Sequence, residues 1–572
     1  MTRTSAEIIC DTLEQLGGTT VFGMPGTQNV QMFEALRGSK LKTIVTTNES
    51  AAAFAANGYY RACGKVGVLT TIPGPGFTFA LSGLAEALLD SVALLHIVSS
   101  SGDGSDRSFQ HQHLDLAAIA RPLVKEVLVV SEISRLAEAV ARGYLLAESG
   151  EPGPVLLLFD KKLFQASFES GSTPRAISTS PVNVKVVEEV AEIVASANRI
   201  ALFAGQGGQS AAQVIQKLAE RFRAAVLTTN SGRGVISEND PRSLYYDYSS
   251  GGGDSVNEFI TQCDLVLALG CKFSHNGSGG FALRIPPEKL IHIDASKKTL
   301  NANYPARLAV QADLGPFLES LVGKITTIEP SKGWSTEALD PWRARFLEEE
   351  SRRLRNVPTI AAGSGISCEQ FFAALRQALP NDCILVTDSG LHQVLTRRYF
   401  SVRTPRGLIT PSDFQSMGFG IPAAIGATVA APNRRVVLVI GDGGMAISGL
   451  ELLTAVRAQL NLTVIVFNDG YLNLIRTQQI DGGLGEHGTA LMNPDFAVLA
   501  ESIGAGYDLL GENVTPSISS SMTTPGVNLL EVLLGDAPGL ATARMKGKIK
   551  RHVRKIVRPA MLSRLKSRFR GR

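Results

Sequence analysis

The sequence predicts an α/β protein built from three Rossmann-like, doubly wound parallel-sheet domains, followed by a basic C-terminal tail. Three observations lead there. Short apolar runs, such as residues 436–440, 462–467 and Ile200–Ala204, end in glycine- or asparagine-bearing turns and alternate with helix-like segments, the pattern of buried parallel strands. A chain of 572 residues is too long for one core, and three domains is the natural expectation. A composition with 44% apolar residues, 19% charged residues and 56 glycines suits an α/β enzyme rich in glycine turns.

The first domain is expected over residues 1–165. Residues 1–20 read as an amphipathic helix with Ile8, Ile9, Leu13 and Leu16 on one face. A short strand at 20–22 runs into the turn Gly23-Met24-Pro25-Gly26. A second strand, 41–47, ends at Asn48-Glu49 and is followed by a small-residue helix over 50–62. The strand at 66–71 opens into Pro73-Gly74-Pro75-Gly76, then a helix at 79–88 and a strand at 93–99. Four strands thus alternate with helices. Glu49 lies at the carboxyl end of a strand, where open α/β sheets carry their chemistry. A polar loop, 103–112, leads through Phe109-Gln110-His111-Gln112-His113 into a helix that runs to Arg121-Pro122.

Residues 166–185, rich in Ser, Gly, Thr and Pro, read as a linker. The middle domain, 186–330, has strands at Ile200–Ala204, 225–229, 264–270 and 289–294, the first ending in Gly205-Gln206-Gly207-Gly208. Residues 331–362 form a second linker, with a solvated Glu- and Arg-rich helix at 343–355. The third domain, 363–535, has a strand at 383–387 that ends in Asp388-Ser389-Gly390-Leu391-His392-Gln393. It also holds the stretch on which the rest turns. The run 436–440 ends in Gly441-Asp442-Gly443-Gly444, a helix is expected over 449–460, and the run 462–467 delivers Asn468, 26 residues after Asp442. Strand, helix and strand of this length make a right-handed crossover, with both loops at one edge of the sheet. A carboxylate from Asp442, an amide oxygen from Asn468 and a loop carbonyl such as that of Gly470 are hard ligands suited to magnesium with phosphate oxygens. The glycines let the backbone approach a diphosphate.

These residues resemble the metal–diphosphate motif of thiamine-diphosphate enzymes, and other segments extend the likeness. Asn48-Glu49 through Gly58-Tyr59-Tyr60-Arg61, Pro73-Gly74-Pro75-Gly76, and Ser82-Gly83-Leu84-Ala85-Glu86-Ala87 with Asp90-Ser91 are similar to the pyrimidine-binding segment of acetolactate synthase large subunits. Ser416-Met417-Gly418-Phe419-Gly420-Ile421-Pro422 is close to another string of that family. The resemblance covers about residues 5–535 and is much more specific for cofactor than for substrate.

It implies the following roles. Glu49 bonds N1′ of the aminopyrimidine and favours the imino tautomer that takes the C2 proton of the thiazolium. Met417 props the cofactor in its bent shape, and Gln112 faces the substrate. Gly74, Gly76, Gly390, His392, Gly441, Gly443, Gly444 and Ile475 line the cofactor, and Asp442, Asn468 and Gly470 hold Mg2+. Gly26, His111, His113 and Gln478 are substrate-side candidates. Each of the two histidines reads equally as a loop or cap residue or as a proton-transfer group. The sequence also departs from the family. The run Arg-Phe-Asp-Asp-Arg, which holds FAD in the middle domain of acetolactate synthases, is Lys272-Phe273-Ser274-His275-Asn276, so the planar arginine forks are lost at both ends and FAD is disfavoured. Gln478 stands where the family has a tryptophan that helps choose the acceptor, which points to a more polar acceptor.

The expected function is ThDP- and Mg2+-dependent carboligation. A 2-oxo acid such as pyruvate is decarboxylated, and its two-carbon unit passes to a second carbonyl compound. The alternatives are simple decarboxylation of a 2-oxo acid to an aldehyde, and a ThDP-fold binding protein that has lost catalysis; retention of Glu49, Asp442 and Asn468 speaks against the latter. The family implies a homodimer or homotetramer with active sites between subunits. No run of 18 apolar residues and no signal-peptide core occur, and six cysteines lie scattered without a CxxC pair, so a cytoplasmic protein without disulfides is expected. Residues 541–572 carry 13 of the 56 Lys+Arg and no Asp or Glu, which leaves 43 basic against 52 acidic side chains, a net −9, on the remainder. Apolar residues at helical spacing in this tail read as an amphipathic helix for an anionic inner membrane surface or a partner, or as a solubilising tail; nucleic acid is disfavoured.

Overall fold

The computed structural model describes residues 2–101, 107–169, 182–245, 253–325, 333–353, 367–510 and 514–534. The basic tail and most of the first linker lie outside the described residues.

Three parallel sheets form, as the alternation of apolar runs predicts. The first has the strand order Lys42–Val45, Thr20–Gly23, Gly67–Thr71, Leu94–Ser99, Pro154–Phe159 and Glu126–Val130. It therefore has six strands, not four, because the apolar segments beyond residue 125 add two more. A short strand, Thr2–Thr4, precedes the first helix, Ser5–Gln15, and pairs antiparallel with Ser167–Glu169. The strand at its start and the Thr4 capping box at the helix shorten the helix expected over 1–20. The stretch expected as a linker thus contributes a strand at one described end and the start of helix Val184–Ser196 at the other.

The middle sheet runs Ala225–Thr228, Ile200–Ala204, Leu265–Leu269, Leu290–Asp294, Leu308–Gln311. The segment expected as a solvated helix is instead helix Thr336–Arg353, which packs on this domain. Trp334, Leu339 and Phe346 are buried there, and Trp334 stacks on Phe259. Some of its charges also tie it to the domain, with Glu349 accepting from the Asp254 and Ser255 N–H groups, Arg343 donating to the Pro241 carbonyl and Arg345 pairing with Glu258, and its apolar residues complete the domain's core.

The third sheet runs Leu408–Ile409, Ile384–Thr387, Val436–Gly441, Leu462–Asn468, Val527–Leu533, Gly506–Leu509. Residues 436–440 are buried throughout, as strands covered on both faces require. The first and third domains share one apolar core, joined by helix Glu49–Cys63 lying on helix Gly420–Ala430. Glycine makes that approach possible. A Cβ at Gly58 would lie 2.0 Å from the Ala423 carbonyl oxygen, and one at Gly426 would lie 1.8 Å from that of Ala55. Among the described residues no helix is long and apolar enough to cross a membrane.

Candidate active site

Strand Val436–Gly441 delivers Asp442 as the first residue of helix Asp442–Ser448, with Gly441 at the N-cap. The helix was expected only from residue 449. It begins earlier because the glycines pack closely enough against their neighbours to offset their poor helix propensity. A Cβ at Gly441 would lie 3.0 Å from His392 Nδ1, at Gly443 2.8 Å from Leu472, and at Gly444 2.8 Å from Asp388 Oδ2. The turn is therefore bare backbone at the positive end of a helix, a surface that attracts anions.

Asp442 is buried, and burial raises its carboxyl above the usual carboxylate range. Its Oδ1 accepts from the Gly443 N–H at 2.9 Å, and its Oδ2 accepts from the Gly470 N–H at 2.7 Å and from Asn493 Nδ2 at 2.6 Å. Asn468, at the end of strand Leu462–Asn468, is also buried. Its Nδ2 donates to Glu531 Oε1 at 2.7 Å, and its Oδ1 accepts from the same Asn493 Nδ2 at 2.9 Å. Two oxygens thus converge on one donor. The Asn493 NH2 stands in for a cation's positive charge, and this oxygen set fits a hard divalent ion. The Gly470 carbonyl oxygen accepts from the Leu491 N–H at 2.7 Å, which leaves it one lone pair for a metal.

Two of these partners escape the sequence reading. Glu531 lies on strand Val527–Leu533, where it pairs in register with Val466, so it shares a face with Asn468; its Oε2 accepts from the Tyr507 hydroxyl at 2.5 Å. Asn493 is carried in by a short antiparallel pairing in which Leu491 N–H donates to Gly470 and Leu472 N–H donates to Thr489, both at 2.7 Å. The only local signal at Asn493 is the Asp495 cap of the following helix, Phe496–Ile503.

Beside the turn, Asp388 is fully buried and accepts from the N–H groups of Ser389, Gly418 and Gly420; burial pushes its carboxyl up to about 7. Burial lowers His392 to about 4, which keeps the imidazole neutral, and its buried Nε2 has no hydrogen-bond partner. Gly390 caps helix Leu391–Tyr399 at φ 146°, where a Cβ would lie 2.9 Å from the His392 ring. Leu391 packs into the third domain's core. Met417 is not a core residue. It is 39% exposed, and its Cε lies 3.3 Å from the Cβ position of Gly443, so it stands over the turn. Ile475 and Gln478 are exposed on helix Asn473–Asp481.

The first domain builds its own half of a site. Glu49 is the buried first residue of helix Glu49–Cys63, capped by the Asn48 side chain. A Cβ at Gly76 would lie 2.6 Å from Glu49 Oε1, and one at Gly74, which sits at φ 63°, would lie 2.9 Å from the Gln112 Cβ. Gln112 takes a left-handed φ of 57°, and its buried Oε1 has no partner. Gly26 abuts Ile72 on the same rim. His111 is exposed, and His113 lies within 3.5 Å of Ser101, so of the three loop candidates Gln112 alone packs on the Gly74 turn.

A cavity of about 440 Å3 opens where the three domains meet, lined in part by Gly205, Gly270, Asp294, Lys272 and Asp413. The segment that departs from the family pattern ties the domains together here. Lys272 pairs with Glu151 at 2.7 Å and donates to the Leu89 carbonyl, Ser274 donates to Asp413 at 2.8 Å, and Asn276 donates to the Ser412 carbonyl at 2.7 Å. Burial pushes the carboxyls of Asp294 and Asp413 up to about 6.

Comparison with known proteins accords with this architecture. Three family models match: thiamine pyrophosphate enzyme, N-terminal TPP binding domain, over residues 3–119; the central domain over 187–321; and the C-terminal TPP binding domain over 388–532. The chain is 31% identical to an acetolactate synthase large subunit of Parasynechococcus marenigrum, covering 96% of this chain and 91% of the relative. It is 30% identical to the acetolactate synthase isozyme 2 large subunit of Escherichia coli, covering 95% and 99%. It is 28% identical to a probable 2-ketoarginine decarboxylase, AruI, of Pseudomonas aeruginosa, covering 93% and 94%. Matching all three domain models in order, with acetolactate synthase large subunits among its relatives, the chain belongs to the thiamine pyrophosphate enzymes.

Proposed function

We propose that this enzyme binds thiamine diphosphate with a magnesium ion, decarboxylates a 2-oxo acid and passes the two-carbon unit to a second carbonyl compound. The observation that carries the reading is the convergence of Asp442 Oδ2 and Asn468 Oδ1 on a single donor beside a bare helix N-terminus. When bound, the cofactor supplies a carbon nucleophile and an electron sink. Asp442, Asn468 and the free lone pair of the Gly470 carbonyl hold the ion. The backbone of Gly441, Gly443 and Gly444 receives the diphosphate, and neutral His392 and Gly390 line it. Met417 supports the cofactor from above the turn. Glu49, packed against Gly76, would hold a proton at N1′ of the aminopyrimidine. Gln112 would present its side-chain amide to the substrate, its NH2 group donating to a 2-oxo acid oxygen.

Carboligation is the first choice because acetolactate synthases predominate among the named relatives. Decarboxylation to an aldehyde is the second reading, favoured by the relative named as a 2-ketoarginine decarboxylase. The reading omits FAD, because Lys272, Ser274 and Asn276 are committed to inter-domain ties. It places the active site between two copies of the chain. Support comes from the exposed Met417, Ile447, Leu450 and Leu453 beside the glycine turn, an apolar surface that water disfavours.

The test incubates purified protein with ThDP, Mg2+ and pyruvate and follows the products by NMR. Acetolactate is expected. Acetaldehyde alone would select the second reading. Calorimetry of Asp442→Ala should show that Mg2+-dependent ThDP binding is lost, and unchanged affinity would refute the metal assignment.

A further inference from the structure

The Asn493 side chain reaches both oxygens of the candidate metal pair. Its Nδ2 lies 2.6 Å from Asp442 Oδ2 and 2.9 Å from Asn468 Oδ1. Its Oδ1, on the other branch of the same amide, is buried and has no hydrogen-bond partner. A buried acceptor left unmade is costly, so an amide normally turns to avoid it. Here it cannot, because the turned amide would aim a third oxygen at two others. Only a cation between them makes that arrangement favourable.

The segment that carries Asn493 is fixed. Leu491 N–H donates to the Gly470 carbonyl, and Leu472 N–H donates to the Thr489 carbonyl. The first of these bonds takes one lone pair of the Gly470 carbonyl oxygen. The Glu531 carboxylate holds the Asn468 amide by its Nδ2, so Asn468 keeps its oxygen towards Asp442, and Asn493 is the member free to turn.

We propose that Asn493 is a third side-chain oxygen ligand of the divalent cation. Its NH2 group closes the Asp442–Asn468 pair in the metal-free protein, and its carbonyl oxygen turns inward when the cation binds. The inference rests on the metal-and-diphosphate reading above. It adds a residue from a segment 25 residues beyond Asn468, and it makes Asn493 both a lock on the empty site and a ligand of the filled one.

The two roles predict opposite signs. A residue that only locks the empty site competes with the cation, so removing it tightens binding. A ligand contributes affinity, so removing it weakens binding. The experiment measures Mn2+ binding to the full chain in the presence of ThDP, by the electron paramagnetic resonance signal of free Mn2+. Wild type is compared with Asn493→Ala and Asn493→Asp, each checked for folding by circular dichroism. Asn493→Ala is expected to weaken Mn2+ on the order of tenfold or more, and Asn493→Asp, which keeps an oxygen and adds charge, to bind at least as tightly as wild type. Unchanged or tighter binding by Asn493→Ala would overturn the proposal while leaving the metal site itself standing. If Asn493→Ala does not fold, Asn493→Asp decides alone, and a loss of tenfold or more would overturn it. A wild-type protein that takes up no Mn2+ with ThDP would overturn both this inference and the reading beneath it.

Discussion

Replacing Glu531 should weaken metal binding although this residue touches no metal. Glu531 Oε1 accepts from Asn468 Nδ2 at 2.7 Å, and its Oε2 accepts from the Tyr507 hydroxyl at 2.5 Å. The carboxylate therefore decides which end of the Asn468 amide faces Asp442. A hydrogen bond to a charged group contributes about 1.5–3 kcal/mol. Partners that orient metal ligands typically account for about 10–100-fold in metal affinity, roughly 1.4–2.8 kcal/mol, so the two estimates agree. Glu531→Leu removes the acceptor, leaves the Asn468 amide free to turn, and is expected to weaken Mg2+ by about that factor. Glu531→Gln, which keeps an acceptor without the charge, should fall between. The assay is isothermal calorimetry of Mg2+ into protein with saturating ThDP, with circular dichroism to confirm that the sheet is intact. A folded Glu531→Leu variant whose affinity lies within twofold of wild type would refute the argument that this carboxylate orients Asn468.

Three further outcomes are expected. Glu49→Gln should keep ThDP bound yet slow exchange of its C2 proton strongly, because N1′ loses its acid partner; an exchange rate equal to wild type, read by NMR after acid quench, would remove Glu49 from that role. Gly426→Ala places a methyl on the Ala55 carbonyl and should cost about 1–3 kcal/mol, seen as a lower first thermal transition, whereas Gly315→Ala, where nothing lies within 4 Å, should be neutral or slightly stabilising. Asp294 is raised from about 3.8 to about 6 by burial, so the native state binds more protons than the unfolded chain between those values, and stability falls as pH rises through that window. Asp294→Asn should therefore gain stability relative to wild type between pH 4 and pH 7, by up to about 3 kcal/mol, and a pH-independent difference in melting temperature would contradict the shift.

What the sequence determined by itself is what local chemistry determines. The buried runs at 436–440 and 462–467 announce parallel strands because they are apolar at every position, and the glycines at 441, 443 and 444 announce a turn that needs bare backbone. The spacing of Asp442 and Asn468 then follows from one crossover, so their coming together at one sheet edge was legible before any tertiary contact was known. Glu49 stood out because it ends a strand inside a segment that resembles the family, and Gln112 through the resemblance alone; their packing on the single Gly74–Gly76 turn came only with the fold. Only the tertiary structure decided the rest. Glu531 reaches Asn468 through the register of a strand some 60 residues away, and Asn493 through pairing of two loop segments, neither of which leaves a periodic signal. The early start of the helix at Asp442 was hidden for a related reason, since glycine is a poor helix former until close packing makes it necessary. Trp334, Leu339 and Phe346 looked like residues of a solvated linker because charges surround them, and packing on the middle domain buries them. Local periodicity fixes which elements form and which edge carries the chemistry; the side chains that orient the ligands come from pairings distant in sequence, and these are settled by which faces the folded sheets bring together.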